Sequence, residues 1–146
     1  MSASQVTEAA EKALKEKNYD VIIINYANCD MVGHTGKFDA VVKAVETVDI
    51  ALARLVPQAI EKGYHLIITA DHGNAEQMLD ENDNVMTAHS MNEVPMILIS
   101  RAQAGNGKKL INLSNGKLGD IAPTLLNLMK ISVPKEMTGV NLMNNL

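Results

Sequence analysis

The sequence predicts an α/β layered fold with a mostly parallel sheet. Short apolar runs rich in β-branched residues alternate with longer segments in which apolar residues recur every three or four positions. This alternation of strands and helices is typical of parallel sheets covered by helices. Of the 146 residues, 47% are hydrophobic, which is enough to bury a core. No internal repeat and no linker rich in Pro, Gly and Ser divides the chain, so residues 1–146 are interpreted as part of one domain.

The N-terminal half of the chain is predicted to contain two helices and a strand. Apolar residues recur at helical spacing over residues 7–17, and again over residues 37–63, where Pro57 is expected to kink or interrupt the second helix. Residues 20–26 form a short apolar, β-branched run that is typical of a strand buried on both faces. Residues 29–36 are predicted to form a loop between this strand and the second helix.

The C-terminal half is predicted to contain further strands and one helix. The predicted elements are strands over residues 65–69, 94–99 and 109–113, an exposed turn over residues 101–109, and a helix over residues 121–129. Asp120 is expected to act as the N-cap of that helix, and residues 134–146 are expected to be extended or loosely ordered. Ligands of parallel α/β sheets lie beyond the carboxyl ends of the strands, where polar residues follow two of the predicted strands.

Composition and charge exclude several classes of function. The formal net charge is -4 and the pI is near 5.5, so we expect neither nucleic acid nor anionic membrane surfaces as partners. The single cysteine cannot form an intramolecular disulfide, and no apolar run reaches the ~20 residues of a membrane span. The N-terminus lacks the charged start and apolar core of a secretory signal. These features predict a cytoplasmic location.

Five candidate metal ligands lie in three polar segments next to the predicted strands. Asp30 and His34 follow the first strand, Asp71 and His72 follow the second, and His89 precedes the third. Carboxylate and imidazole ligands together suit Mn²⁺ or Zn²⁺. We expect these segments to converge at one edge of the sheet. Taken one at a time, such residues are more often solvated or helix-capping, and their combination is what favours a metal site.

Two other potentially reactive residues are assigned structural roles. His65 lies at the start of a predicted strand, which is the wrong end for the site, and no feature next to Cys29 indicates a reactive thiolate. The sequence contains neither a Gly-x-Ser-x-Gly nucleophile turn nor a Gly-x-x-x-x-Gly-Lys-[Ser/Thr] phosphate loop. The chain therefore offers metal ligands without an identifiable attacking group.

Three motifs carry a resemblance to a known enzyme family. Asn25-Tyr-Ala-Asn-Cys-Asp-Met-Val-Gly-His-Thr-Gly36, Thr69-Ala-Asp-His-Gly-Asn-Ala-Glu76 and Thr87-Ala-His-Ser90 resemble those of cofactor-independent phosphoglycerate mutases. Asp-His-Gly alone would indicate only the wider alkaline phosphatase superfamily. The first motif, together with Gly73-Asn-Ala-Glu76, points to the mutase branch. The resemblance covers essentially the whole chain.

The resemblance implies the chemistry of a two-metal isomerase of glycolysis. Members of the family interconvert 3-phosphoglycerate and 2-phosphoglycerate through a phosphoserine intermediate, using two Mn²⁺ ions in a phosphatase domain of alkaline-phosphatase-like fold. By motif, Asp30, His34 and His89 resemble the ligands of one ion, and Asp71 and His72 those of the other. Phosphoglycerate is accordingly the expected small-molecule partner of the intact protein.

The resemblance also implies parts that this sequence does not contain. The family's nucleophilic serine, a further metal-binding aspartate and the inserted, arginine-rich substrate domain all precede the matching region. We therefore interpret residues 1–146 as the C-terminal portion of the phosphatase domain, with no catalytic residue of its own. The isolated chain is expected to be inactive, to bind metal weakly or not at all, and to have an exposed surface through which it could self-associate. The alternatives are another phosphatase, phosphopentomutase or sulfatase of the superfamily, or a free-standing noncatalytic metal-binding module.

Overall fold

The computed structural model describes residues 2–100 and 111–144, which form two compact units. The first unit is Met1–Ile97 and the second is Leu98–Leu146. The boundary between the units lies within a strand rather than in a linker. The first unit contains helices α1 (Ala3–Glu16), α2 (Asn28–Gly33) and α3 (Phe38–Glu61) and strand β1 (Leu66–Thr69), and strand β2 (Met96–Ile99) crosses the boundary.

The core of the first unit lies between helices α1 and α3. Ala10 and Leu14 of α1 are buried against Leu55 and Ala59 of α3, and partly buried side chains complete the cluster: Ile22, Tyr26, Tyr64 and Leu66. Removing these apolar surfaces from water stabilises the pair of helices by about 25 cal/mol per Å². The first predicted helix is confirmed, although it begins at Ala3 rather than near residue 7.

Helix α3 confirms the long predicted helix but not its predicted interruption. It runs without a break through Pro57 to Glu61, and the chain turns at Gly63, whose φ is 84°. A proline inside a helix costs about 3 kcal/mol because it removes an N–H donor and clashes with the preceding turn. Leu55 and Ala59, on either side of Pro57, are both buried in the core. Packing on both sides of the proline offsets this cost.

Two predictions between α1 and α3 are wrong. Residues 20–26 form no strand in the part of the chain that the structure describes, and the predicted loop over residues 29–36 contains helix α2. A strand requires a hydrogen-bonded neighbour, and the side chain of Ile23 is 89% exposed instead of lying within a sheet. Helix α2 has only six residues, so it is too short to show a helical period in the sequence. It packs against α3, which compensates for its short length.

Strands β1 and β2 form a two-stranded sheet. The strands predicted over residues 65–69 and 94–99 are thus confirmed within one or two residues. The segment between them is irregular and includes two isolated bridges, Gly73 with Ser90 and Leu79 with Val85. Over residues 2–100 and 111–144, no helix is long and apolar enough to cross a membrane.

The second unit combines a short antiparallel sheet with one helix. Strand β3 (Asn112–Leu113) pairs with β4 (Met143–Asn144), and a 3-10 helix (Leu118–Asp120) leads into α4 (Ile121–Leu128). The predicted fourth strand and last helix are confirmed for residues 112–113 and 121–128. The predicted turn over residues 101–109 and the start of the predicted strand at 109–110 lie outside the described residues. The tail, predicted to be extended or loosely ordered, contributes strand β4.

Asp120 occupies the N-cap position of helix α4, as predicted, but without the expected side-chain hydrogen bond. Its two carboxylate oxygens instead accept the backbone N–H groups of Lys117 at 2.9 Å and Val140 at 2.8 Å. These two hydrogen bonds, the first of them the larger cause, lower the pKa of this carboxyl below its ordinary value. Asp120 therefore connects the 3-10 turn to the tail of the chain.

Candidate metal centre

Helix α2 places two of the predicted ligands on one face. Asp30 and His34 are four positions apart, which brings their side chains together on a helical surface. Asp30 Oδ1 lies 3.1 Å from His34 Nε2. The Asp30 side chain is 32% exposed and that of His34 is 43% exposed. The pair is therefore accessible from solvent.

His89 completes a group of three ligands although it lies 55 or more positions away in sequence. Its Nε2 atom is 3.0 Å from Asp30 Oδ1 and 3.2 Å from His34 Nε2. Ligand atoms that bind one ion at about 2.0–2.2 Å are themselves roughly 3–3.5 Å apart. The three separations fall within that range, so one oxygen and two nitrogens can contact a single divalent ion without backbone rearrangement. This is the convergence that the sequence predicts for Asp30, His34 and His89.

A backbone carbonyl fixes the orientation of the His34 ring. The Nδ1–H group of His34 donates a hydrogen bond to the carbonyl oxygen of Thr87, at 2.6 Å, because a carbonyl can only accept. In a neutral imidazole the other nitrogen, Nε2, then carries the free lone pair. That lone pair is directed to the side of the ring where Asp30 and His89 lie. Hydrogen bonds of this kind hold metal-binding histidines in one tautomer.

Asp71 and His72 lie next to this group but do not form a three-ligand cluster of their own among the described residues. They follow strand β1, and His72 Nε2 is 3.8 Å from Asp71 Oδ1 and 3.9 Å from Asp30 Oδ1. The rings of His72 and His89 stack, with centroids 3.6 Å apart and planes inclined by 14°. Asp71 is 77% exposed. All five predicted ligands thus occupy one neighbourhood, three of them in tight contact.

A hydrogen-bonded network around Glu76 lies beside the ligands and was not assigned a role from the sequence. The carboxylate accepts hydrogen bonds from the backbone N–H of Asn74 at 2.6 Å, from Asn92 Nδ2 at 3.0 Å and from the hydroxyl of Ser90. Burial alone would raise the pKa of Glu76, but the hydrogen bonds outweigh burial and hold the pKa below its ordinary value. The only sequence feature that could have indicated a role for Glu76 was its place in the Gly73–Glu76 motif, which supported the family resemblance.

Cys29 and His65 lie outside the cluster, as predicted. Cys29 is half-buried, and burial raises the pKa of its thiol, which favours the unreactive protonated form at neutral pH. His65 is exposed and immediately precedes strand β1. Neither residue belongs to the group of Asp30, His34 and His89.

Comparison with known proteins assigns the chain to a family. A family model described as the metalloenzyme superfamily matches residues 1–133. The chain belongs to the metalloenzyme superfamily. Membership of this superfamily agrees with the mixed carboxylate and imidazole ligands in the cluster. It also indicates that the superfamily's divalent-metal chemistry is the relevant class for this site.

Within this superfamily, the chain is similar to phosphoglycerate mutases. It is 50% identical over 149 residues to the 2,3-bisphosphoglycerate-independent phosphoglycerate mutase of Acaryochloris marina, with 97% of this chain and 27% of that protein covered. It is 49% identical over 146 residues to the Nostoc punctiforme protein of the same name, with 98% and 27% covered. The chain thus spans about 27% of the length of these curated relatives.

A solved structure shows the same fold. A crystal structure of the Leishmania mexicana phosphoglycerate mutase, described as determined at low cobalt concentration, matches with a TM-score of 0.85 and 31% identity. The match covers 100% of this chain and 29% of that one. The predicted α/β fold of alkaline-phosphatase-like type is confirmed. The sheets within residues 2–100 and 111–144 are small, with two strands each.

Proposed function

We propose that this chain supplies a metal-binding part of a phosphoglycerate mutase that interconverts 3-phosphoglycerate and 2-phosphoglycerate. The observation that carries the proposal is the convergence of Asp30, His34 and His89, with separations of 3.0–3.2 Å between their ligand atoms. It occurs in a chain that is 50% identical to a named phosphoglycerate mutase. Asp30, His34 and His89 would hold one Mn²⁺ ion, and Asp71 and His72 would contribute to a second.

The chemical roles of the residues follow from their charge and hydrogen bonding. Two bound divalent cations would supply positive charge for phosphoryl oxygens and would lower the pKa of a nearby hydroxyl. Asp30 provides one negative charge at the centre of the group, while neutral His34 and His89 provide nitrogen lone pairs. Three protein ligands leave further coordination positions open for the substrate. The carbonyl of Thr87 holds His34 in the tautomer that this arrangement requires.

Calorimetric titration with Mn²⁺ tests the proposed ligands. We expect His89→Ala to weaken the tightest binding event more than His72→Ala does, because His89 is one of three close ligands and His72 is one of two. His65→Ala is the matched control, since it removes an exposed histidine outside the cluster. A larger loss from His72→Ala than from His89→Ala would reverse the proposed ranking of the two sites. Equal losses from all three variants would contradict the site itself.

An activity assay tests the proposed incompleteness of the chain. The motifs that match the family contribute metal ligands but no nucleophilic serine and no arginine-rich substrate domain. We therefore expect no conversion of 3-phosphoglycerate by the 146-residue chain, even with Mn²⁺ present. Turnover that persists after removal of host mutase and that is abolished by His89→Ala would contradict this expectation.

We also propose the partners and location that accompany this activity. Phosphoglycerate is the small-molecule partner, the compartment is the cytoplasm, and the pathway is glycolysis. The net charge of -4 supports the proposal that nucleic acid is not bound. Self-association through exposed apolar side chains such as that of Ile23 would appear in sedimentation velocity as a concentration-dependent dimer.

A further inference from the structure

The carboxylate of Glu76 joins two chain segments that are distant in sequence. Its Oε2 atom accepts the backbone N–H of Asn74 at 2.6 Å, and its Oε1 atom accepts the hydroxyl of Ser90 and, at 3.0 Å, the side-chain amide of Asn92. Both oxygens are therefore occupied, one by the segment after β1 and the other by the segment before β2. A single side chain that bridges two loops restricts their relative movement.

Each of the two joined segments carries a histidine of the candidate metal centre. Asn74 lies two residues after His72, and Ser90 directly follows His89. The backbones also meet, because Ser90 N donates a hydrogen bond to the carbonyl oxygen of Gly73 at 2.9 Å. The stacking of the two imidazole rings at 3.6 Å is the geometric result of this close approach.

The carboxylate of Glu76 packs directly against the backbone of Gly73. A Cβ atom at Gly73 would overlap both Ser90 Oγ and Glu76 Oε1 and would lie 3.0 Å from Glu76 Cδ. Gly73 itself is buried. The glycine therefore allows the carboxylate to lie directly against the backbone bridge. Glu76 is exposed on its other side, so its carboxylate is held by these hydrogen bonds and by this contact rather than by burial.

We propose that Glu76 is a positioning residue that sets the separation and stacking of His72 and His89, and through them the metal affinity of the centre. This inference rests on the proposed function, in which both histidines bind divalent cations. Glu76 makes no hydrogen bond or ion pair with either ring; it acts through Asn74, Ser90 and the bridge between the two segments. Outer groups that orient metal ligands typically change metal affinity 10–100-fold when they are altered.

Replacement of the carboxylate by an amide is the direct test. Glu76→Gln keeps the size of the side chain, but one of its two terminal atoms becomes a donor and opposes one of the three donors around it. Glu81→Gln is the matched control, because it removes the same charge from an exposed residue five positions later. We expect Mn²⁺ affinity, measured by calorimetry, to fall about 10–100-fold in Glu76→Gln and less than about twofold in Glu81→Gln. Equal effects of the two substitutions would show that only charge matters and would overturn the proposal.

A measurement without metal separates this inference from the proposed function. In the chain treated with a chelator, we expect Glu76→Gln to shift the ¹³C and ¹H ring resonances of His72 and His89, and to leave those of exposed His65 unchanged. If the wild-type chain binds no Mn²⁺, the proposed site fails while the ring resonances still test the positioning role. Unchanged resonances of both rings would overturn it.

A second variant keeps the test decisive if Glu76→Gln unfolds the chain. Ser90→Ala removes one donor to the carboxylate and leaves the other two, so we expect smaller shifts of the same two ring resonances. In folded proteins, the effects of Ser90→Ala and Glu76→Gln on Mn²⁺ affinity should be less than additive, because both disrupt one junction. Fully additive effects would show that the two residues act separately and would contradict the proposed bridge.

Discussion

Gly33 is the point at which a single methyl group should disturb the candidate metal centre. It is the last residue of α2, between the ligands Asp30 and His34, and it is buried. A Cβ atom at this position would overlap Asn74 Oδ1 and would lie 2.7 Å from Asn74 Cγ. Asn74 is itself only 6% exposed. Gly33→Ala must therefore displace either the asparagine side chain or helix α2.

The expected loss of stability follows from two opposing effects. Overpacking a buried site costs about 1–3 kcal/mol, whereas alanine is favoured over glycine by up to about 1 kcal/mol inside a helix. Because Gly33 lies at the end of the helix, its replacement by alanine gains only part of this helix preference. We expect a net destabilisation of about 1–2 kcal/mol, which corresponds to a fall in melting temperature of roughly 2–8 °C for a chain of this length.

Thermal unfolding followed by circular dichroism at 222 nm measures this effect. Gly119→Ala is a suitable control, because a Cβ atom there would contact only Lys117 Cε, at 3.9 Å. We expect the control to change stability by less than about 0.5 kcal/mol. A Gly33→Ala variant that is as stable as the wild type, with unchanged amide exchange in α2, would refute the close approach of Gly33 and Asn74.

Three further substitutions test the packing and polar contacts within the two units. Leu55→Ala should cost about 2–5 kcal/mol in chemical denaturation, because Leu55 is 4% exposed in the core between α1 and α3. Thr124→Val should cost about 1–3 kcal/mol, because the buried Leu142 N–H donates to the Thr124 hydroxyl at 3.0 Å and would lose its acceptor; Thr124→Ser should preserve most of the stability. Asp120 has a lowered pKa in the folded chain, so its stabilising contribution is complete above the unfolded pKa of about 4 and is lost as the pH falls through the folded value. Melting temperatures measured across acidic pH should accordingly fall more steeply for the wild type than for Asp120→Asn, and parallel curves would contradict this.

The sequence predicted an element well where the periodic spacing of apolar residues continued over a long segment. The 24 residues of α3 contain many turns of apolar spacing, and the helix was found at its predicted start. The same pattern could not show which side is buried. Val41 and Leu55 are buried, whereas Phe38 and Val45 are exposed, because the helix has apolar residues on more than one face. Burial depends on neighbouring elements that the local sequence does not specify.

Short elements and long-range contacts were beyond the sequence patterns. Helix α2 has less than two turns, and residues 20–26 have strand composition but form no ladder in the described part of the chain. At the candidate centre, the residue types predicted that five ligands converge, and the family resemblance grouped Asp30, His34 and His89 among them, although the strand predicted before Asp30 is absent from the described residues. The same patterns did not identify Glu76 or the carbonyl of Thr87, because hydrogen bonds between distant loops leave no periodic signal in a single sequence.

Helix α3 has a consequence for how the first unit opens. At 1.5 Å per residue its 24 residues extend for about 36 Å. The helix packs both against α1 and against α2, which carries Asp30. Because α1 and α2 both pack against the same continuous helix, a fluctuation that separates α1 from α3 should also release α2. We expect the slowest-exchanging amides of the three helices to open together as one cooperative unit. A cavity at Leu55 should therefore accelerate amide exchange in α2, although no residue of α2 belongs to the core cluster that contains Leu55.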